Sequence, residues 1–306
     1  MASKPNIQVF ILTYNRPDLV VKSISSVLQQ SYKDMEVIVS DNSTNDATEA
    51  IIQNSFSSKV KYIKRTPSVG DLIAHLNIIL KEVAADFFMI FHDDDIMYPN
   101  MVETLYNKIC SDSSIAAVAA NARIVKGSKY TAKASFSSKT PSICINTPDE
   151  LVRPYLCGSG NKIAPFPSYM YRKEVAEKIV IDPKQGGKYS DTSFLIKVAQ
   201  SGKIIWVNPP LMDYYFHTTQ LSYTNDFLAR LRLIYFISSN TNFKLRSKEL
   251  RNYRLMNVYG SWVYSLRNGQ PFSLKKKVML LFFKYSPFSC FPKIIFRLLT
   301  IKPKVL

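Results

Sequence analysis

The chain has 306 residues, 46% of them hydrophobic, and carries a formal net charge of +17. This length allows one large α/β domain with an appendage, and this apolar fraction excludes a wholly disordered protein. The four cysteines are widely spaced and form no Cys-x-x-Cys pair. Their spacing argues against a zinc site or a disulfide framework and is typical of a reducing cytosol.

Strand and helix patterns alternate through the first hundred residues. Strands are predicted over 7–15, 35–42, 59–65 and 87–95, and helices over 18–31, 47–55 and 70–84. The first strand begins after six residues, without the features of a signal peptide. Such alternation predicts right-handed crossovers and an α/β fold with a mostly parallel, Rossmann-like sheet flanked by helices.

The alternation becomes looser beyond residue 110. Strands are predicted over 114–125, 168–173, 203–208 and 211–217, a helix over 190–202, a loop or hairpin over 128–147, and mainly helix over 225–268. The charge balance changes near Tyr223–Asp226. We therefore predict an α/β domain over 1–223 and a helical, basic extension over 224–306.

The positive charge is concentrated in this extension. Residues 227–306 hold 16 Lys and Arg and one acidic residue, Glu249, which favours an anionic partner, either membrane or nucleic acid. The apolar stretches of 273–306 are broken by Lys, Arg and Pro, and crossing a bilayer needs about 20 consecutive apolar residues. Their bulky aromatic and aliphatic residues favour helices lying on an anionic membrane over a tail that binds nucleic acid.

Three consecutive aspartates, Asp93, Asp94 and Asp95, follow the apolar strand of residues 87–92. Adjacent carboxylates repel one another unless a cation lies among them. At the carboxyl end of a strand they can hold a divalent metal beside a phosphate ligand. The alternative is a solvated acidic turn. The apolar run before the aspartates and the Ile-Met-Tyr-Pro after them favour the metal site.

Polar residues also follow the first two predicted strands, at Thr13–Pro17 and at Asp41. The Asp41 carboxylate can accept from a base N–H or a ribose hydroxyl, or it can form a turn. Arg16 can contact phosphate, although this segment is also a good helix start. Gly70 can let the backbone come close to a ligand, with the same structural alternative.

Two further residues are candidates for chemistry. Asp191 begins a predicted helix after a Gly-Gly loop, where it is either a general base or an acid of the first helical turn. Composition alone favours the first-turn acid. His217 follows a predicted strand, where it is either a structural residue or a metal ligand.

The order of these segments resembles the family 2 glycosyltransferases, nucleotide-sugar enzymes of the GT-A fold. The resemblance covers about residues 5–223 and rests on VFILTYNRPDLVVKSISSVLQQSY, MEVIVSDNSTND, FFMIFHDDDIMYP, SDTSFLIKVAQSGK and YYFHTTQLS. The chain departs from the family pattern in two places. Ser190 replaces the Glu of a Glu-Asp pair, and Ala74–Asn77 replaces an Ala-Arg-Asn.

The resemblance implies a role for each of these candidates. Asp191 is the expected catalytic base, and Asp41 is expected to face the uracil. The predicted metal ligands, for Mn²⁺ or Mg²⁺, are Asp93, Asp95 and His217. The predicted nucleotide-sugar contacts are Thr13, Tyr14, Asn15, Arg16, Asp41, Gly70, Asp71, Asp93 and Asp94.

The implied activity is an inverting, metal-dependent transfer of a hexose from a UDP-sugar (Gal, Glc or an N-acetyl derivative). The implied acceptor is a hydroxyl of a lipid-linked oligosaccharide in O-antigen or capsule synthesis. The implied location is the cytoplasmic face of the bacterial inner membrane, to which the extension would bind. Tyr155–Lys162 is a candidate acceptor loop. Alternatives are a sugar-phosphate nucleotidyltransferase, which usually has a Gly-rich phosphate loop absent from Ile7–Asp18, and a basic nucleic-acid-binding protein.

Overall fold

The computed structural model describes residues 6–127, 129–157, 163–216 and 226–254. Its strands are Ile7–Thr13 (β1), Met35–Asp41 (β2), Lys61–Lys64 (β3), Phe87–His92 (β4), Ile96–Met97 (β5), Ile115–Lys126 (β6), Lys129–Ala134 (β7), Ser142–Ile145 (β8), Tyr169–Arg172 (β9) and Lys203–Phe216 (β10). Its α-helices are Pro17–Leu28 (α1), Ala47–Ser55 (α2), Leu72–Glu82 (α3), Met101–Cys110 (α4), Pro148–Cys157 (α5), Lys173–Ala176 (α6), Ser190–Ser201 (α7), Phe227–Asn240 (α8) and Lys248–Tyr253 (α9).

One mixed sheet organises these strands in the order β3-β2-β1-β4-β9-β6-β10-β5, with β7 added on β6 and β8 on β10. Strands β1 to β4 run parallel, as predicted. All seven residues of β1 are buried because helices cover both faces of the sheet. This covering explains why β1 reads as a continuous apolar run.

The second half of the sheet mixes directions. The long β6–β10 ladder is parallel, whereas β9 is antiparallel to both β4 and β6. The predicted strands 203–208 and 211–217 form one strand, β10, with register shifts between Val207 and Met212. Pro209 and Pro210 lie in that irregular stretch, where their missing N–H groups cost little ladder bonding.

Apolar side chains pack on both faces of the sheet. On one face Val9 and Ile11 join Ile24 of α1 and Leu105 of α4 in one cluster. On the other face the alternate side chain Phe10 joins residues of α3, α5, α7, α8 and α9 in a second cluster. This alternation follows from the two-residue side-chain period of a strand.

The first part of the predicted extension belongs to this second cluster. Leu233, Ile234 and Ile237 of α8 are almost fully buried, and each such burial contributes about 1.5–3 kcal/mol relative to exposure. The predicted boundary at residue 223 and the basic segment 273–306 lie outside the described residues, so the two-domain division stays a prediction. In the part of the chain that is described, no helix is long and apolar enough to cross a membrane.

Candidate active site

The carboxyl ends of β1, β2 and β4 meet at one edge of the sheet, as predicted. Thr13 lies opposite Asp41 in the parallel register, and Leu12 lies opposite His92. The Thr13 hydroxyl donates to Asp93 Oδ2 over 2.9 Å. Each of these polar side chains is therefore placed by a strand end rather than by a separate loop.

Arg16, the residue before α1, binds two neighbouring carboxylates. Its Nη1 lies 3.3 Å from Asp93 Oδ1 and 3.2 Å from Asp94 Oδ2. The Arg16 side chain remains 36% exposed, so a ligand phosphate can reach the same guanidinium. Burial and the neighbouring Asp94 charge nonetheless raise the pKa of Asp93 to about 6. One cation offsets only part of the repulsion among the aspartates.

Asp95 is completely buried beside β10. Its Oδ1 accepts from the Tyr215 backbone N–H over 3.0 Å, whereas its Oδ2 has no hydrogen-bond partner among the described residues. Burial, followed by the charge of Asp94, raises the pKa of Asp95 well above its usual range. A buried carboxyl oxygen without a donor is costly, so this oxygen is a position at which a bound cation would be stabilised.

The residues around Asp95 fit a divalent cation. One ligand atom from each of His92, Asp94 and Asp95 lies within 4.8 Å of the others. Burial lowers the pKa of His92, so its ring is neutral near pH 7 and offers a nitrogen lone pair. Asp93, predicted as a ligand, instead turns its oxygens toward Thr13 and Arg16. Its metal role stays a prediction, and the predicted ligand His217 lies outside the described residues.

Asp41 is buried at the end of β2 and holds the adjoining turn. Its Oδ1 accepts from the Ser43 N–H over 2.8 Å, and its Oδ2 accepts from the Tyr62 hydroxyl over 2.7 Å. The turn anticipated for Asp41 is therefore present. A carboxylate has about four acceptor sites, so both oxygens can still accept from a bound ligand. Tyr62 was not singled out from the sequence because it lies inside a short strand.

Asn15 joins the loops after β1 and β2. Its N–H donates to Ser43 Oγ over 2.7 Å, and its Oδ1 accepts from the Thr44 N–H over 3.0 Å. Its φ of +54° is a conformation that Asn adopts more readily than most residues. The neighbouring Tyr14 is 53% exposed at the rim of this edge, where its ring is open to a ligand.

The segment before α3 makes structural contacts. Asp71 caps α3 by accepting from the Ala74 N–H over 2.7 Å, and a Cβ on Gly70 would meet nothing within 4 Å. Asn42, which the sequence did not single out, holds this segment through Val69, accepting from its N–H and donating to its carbonyl. Nucleotide contact by Gly70 and Asp71 stays a prediction.

His75 lies in the segment Ala74–Asn77 of α3, which departs from the family's Ala-Arg-Asn. Its Nε2 lies 2.7 Å from Ser40 Oγ, behind Asp41. Arg65 also donates to Ser40 Oγ and forms two hydrogen bonds of 2.6 Å with Glu82. Burial, with the Arg65 charge second, lowers the pKa of His75 to about 4. The ring is therefore neutral and supports β2 rather than supplying a cation.

Asp191 lies in the first turn of α7, where its Oδ1 accepts from the Thr192 N–H over 2.7 Å. Burial raises the pKa of Asp191, toward the range in which a carboxylate works as a general base. The charges of Asp95, Asp94 and Asp191 all act on the hydroxyl of Tyr214, whose pKa is raised chiefly by burial. Asp191 and the aspartate cluster therefore both lie near the Tyr214 hydroxyl.

The Gly-Gly turn before Asp191 packs against α8. A Cβ on Gly187, whose φ is +56°, would lie 2.7 Å from Ala229 Cβ. The Arg230 guanidinium lies 4.5 Å from the Tyr189 ring centre. In addition, Ser190 donates to the Gly187 carbonyl over 2.6 Å. The Gly-Gly turn is thus held by a helix that begins 36 residues after Asp191 in sequence.

A hydrogen-bonded chain extends this contact into α5 and α9. Arg230 Nη1 donates to the Tyr253 hydroxyl over 3.2 Å, and Tyr253 donates to the Tyr155 hydroxyl over 3.0 Å. Burial raises the pKa of Tyr155 and Tyr253, and the charge of Asp191 adds to both shifts. Tyr155 opens the predicted acceptor loop, of which residues 158–162 lie outside the described part.

Comparison with known families agrees with this geometry. The sequence profile described as Glycosyl transferase family 2 matches residues 8–180, more than half of the chain. Over 106 residues the chain is 30% identical to GalNAc(5)-diNAcBac-PP-undecaprenol beta-1,3-glucosyltransferase of Campylobacter jejuni, covering 34% of each protein. Over 103 residues it is 31% identical to an uncharacterized glycosyltransferase of Rickettsia typhi, covering 34% of the chain and 31% of that protein. The chain thus aligns with about a third of these relatives.

Two solved structures have the same fold. S. aureus TarS 1–349 in complex with UDP-GlcNAc superposes with a TM-score of 0.64 at 14% identity, covering 85% of this chain and 75% of TarS. The mannosyltransferase PcManGT from Pyrobaculum calidifontis, in complex with GDP-Man and Mn²⁺, gives 0.54 at 15% identity, covering 97% and 86%. At these identities the likeness shows the fold alone, and it is the predicted GT-A fold.

Proposed function

The chain belongs to glycosyl transferase family 2, and we propose that it transfers a hexose from a UDP-sugar to a hydroxyl of a lipid-linked saccharide, with inversion. The observation that carries the proposal is the arrangement at one sheet edge. A group of residues around the buried Asp95 that could hold a cation lies near Tyr214, and so does a separate carboxyl group, Asp191, whose pKa is raised. In this arrangement the cation site would bind the leaving diphosphate, and Asp191 would deprotonate the acceptor hydroxyl.

The donor half would bind the nucleotide diphosphate. Asp41 would accept from the uracil, and Arg16 would turn from Asp93 and Asp94 toward the phosphate oxygens. His92, Asp94 and Asp95 would hold Mn²⁺ or Mg²⁺. The similar structure of PcManGT is a complex with GDP-Man and Mn²⁺. When bound, the ion offsets the negative charge that develops on the departing diphosphate.

Asp191 would do the proton transfer. Its carboxylate takes the proton of the acceptor hydroxyl, whose oxygen attacks the anomeric carbon from the face opposite the diphosphate. The bond from that carbon to the diphosphate oxygen breaks, UDP departs, and Asp191 retains the proton. One displacement of this kind inverts the anomeric centre, so an α-linked donor gives a β-glycoside.

The proposed acceptor rests on a relative and on the tail composition. The name of the Campylobacter jejuni relative describes a glucosyl transfer to a saccharide on an undecaprenyl diphosphate. The basic segment 273–306 combines Lys with Leu, Ile and Phe, a composition that favours anionic membrane surfaces. We therefore place the reaction at the inner face of a bacterial cytoplasmic membrane, in surface-polysaccharide synthesis.

A donor screen tests the proposal. The full chain is incubated with UDP-Glc, UDP-Gal, UDP-GlcNAc or UDP-GalNAc, with Mn²⁺ or with EDTA, and with lipid-linked saccharides extracted from bacterial membranes. We expect UDP release that depends on one donor, on the acceptor and on the metal, and an inverted anomeric configuration by NMR. Pyrophosphate release from a nucleoside triphosphate and a sugar 1-phosphate, without UDP-sugar turnover, would instead show a nucleotidyltransferase.

A further inference from the structure

His92 is the residue of the cation-binding group that the sequence motif does not single out. It is the last residue of β4 and precedes the three aspartates. Its Nδ1 lies 3.9 Å from the buried Asp95 Oδ2, the oxygen for which the described residues supply no donor. The imidazole and the carboxylate therefore face each other across a gap.

The width of this gap is informative. At 3.9 Å the two atoms are too far apart for a hydrogen bond, which needs about 3.2 Å or less. Two ligands of one divalent ion, each about 2.1 Å from it, can lie at most about 4.2 Å apart. The separation is thus too long for direct contact and short enough to be spanned by one ion.

Burial gives independent support for a ligand here. Asp95 is 0% exposed, and its other oxygen is fixed by the Tyr215 N–H over 3.0 Å. The carboxylate is therefore shielded from solvent, and one ligand atom from each of His92, Asp94 and Asp95 lies within 4.8 Å of the others. A buried acceptor without a donor is costly unless a cation lies beside it.

We infer that His92 Nδ1 is a ligand of the divalent cation and makes the site prefer a transition-metal ion such as Mn²⁺ over Mg²⁺. This inference deepens the metal site of the proposed function and rests on it. An imidazole nitrogen is a softer donor than a carboxylate oxygen, and Mg²⁺ takes oxygen ligands and keeps several waters. The nitrogen thus favours Mn²⁺ in a site that two carboxylates alone would leave open to either ion.

The test is Mn²⁺ binding to the full chain without donor or acceptor, using protein purified without a histidine tag. The chain has three histidines, and His75 Nε2 already contacts Ser40. His217→Ala therefore leaves His92 as the imidazole to be examined. We expect pulsed EPR of the Mn²⁺ complex of His217→Ala to show a ¹⁴N coupling. His92→Phe in the same background keeps a ring of similar size, and the coupling should disappear.

The absence of ¹⁴N coupling in His217→Ala, or its persistence after His92→Phe, overturns the inference. Calorimetric titration gives a second readout. His92→Asn replaces the ring nitrogen by an amide oxygen, so it should weaken Mn²⁺ binding by about tenfold or more. Even the loss of a residue that only hydrogen-bonds to a metal ligand lowers metal affinity by about tenfold or more. Mg²⁺ binding should change little. Equal losses for both ions would also overturn it. Metal binding through His92 without any sugar transfer would instead refute the proposed function.

Discussion

The two halves of the site are held together by different physical means. In the donor half, Thr13, Arg16, Asp41 and the aspartate cluster are fixed by hydrogen bonds and ion pairs at the ends of parallel strands. In the other half, Asp191 follows the Gly187 turn, which is fixed by close packing of α8 and by the Arg230–Tyr189 contact. The positions of the residues in the first half should therefore depend on charge and protonation, and the position of Asp191 in the second half on side-chain volume.

The largest expected effect comes from substitutions that distinguish proton transfer by Asp191 from donor binding at Asp95. Asp191→Asn keeps the shape of the residue but removes the base, so sugar transfer should fall by about 10³-fold, within the range of general-base catalysis. Donor binding should remain, whereas Asp95→Ala should weaken metal-dependent donor binding. The acid limb of the wild-type pH–rate profile should lie above the ordinary pKa of aspartate, because burial raises the pKa of Asp191. Sugar transfer by Asp191→Asn at the wild-type rate would show that Asp191 is not the base.

The next effect tests the dependence of the donor half on protonation. His75 is buried with a pKa of about 4, and an unfolded histidine has a pKa of about 6.5. Between these values the unfolded chain binds a proton that the folded chain does not. Stability is therefore lost as the pH falls from about 6.5 to about 4, by on the order of 3 kcal/mol for this ring.

Urea unfolding at pH 7 and pH 4.5, compared with His75→Gln, measures this contribution. The glutamine amide can still bond to Ser40 but does not titrate in this range. The raised pKa values of Asp93 and Asp191 act in the opposite sense, so the difference between the two proteins is the quantity to compare. The same acid-induced loss in both proteins would show that His75 does not support the strand in the neutral form.

The smallest expected effect tests the packing of the second half. Gly187→Ala adds a Cβ that would lie 2.7 Å from Ala229 Cβ, at a φ of +56°. Backbone strain of this kind costs about 1–3 kcal/mol, and the clash displaces the turn that carries Asp191. We expect transfer to fall several-fold while donor affinity is unchanged.

Gly127→Ala is the matched control, because Gly127 has a φ of +59° but nothing within 4 Å of an added Cβ. It should lose stability through strain alone and keep its transfer rate. Gly187→Ala combined with Ala229→Gly removes the clash and should recover most of the rate. If the rate of the double variant stays as low as that of Gly187→Ala, packing on α8 is not what positions Asp191.

The difference between the two halves of the site also explains which of their residues could be predicted from the sequence. Strands β1, β2 and β4 are buried on both faces, so they read as apolar runs, and their carboxyl ends could be placed at one edge. Thr13, Asp41 and Asp93 could therefore be placed at the same edge of the sheet. By contrast, the family pattern alone singled out Asp191 as a base, because composition favoured a first-turn acid.

Three other features could not be predicted from the sequence, for physical reasons. Helix α5 contains Pro154 and was not predicted, since proline disfavours a helix interior. Arg230 meets Tyr189 only through tertiary packing, and neither residue type signals its partner. His92 is one of three histidines in the sequence, but its closeness to Asp95 depends on how the chain turns after β4. Local periodicity contains no information about such contacts.

The packing of α8 on the Gly187 turn has a consequence for the order of events during synthesis. Strands β1 to β4 are complete once Asp95 has left the ribosome, and domains tend to fold from the N-terminal end as they emerge. The turn that carries Asp191, however, lacks its support until Ala229 and Arg230 have also emerged. A nascent chain should thus form the sheet edge that we propose binds the nucleotide before Asp191, the proposed base, is fixed in position. It should have no transfer activity until α8 has packed on the turn.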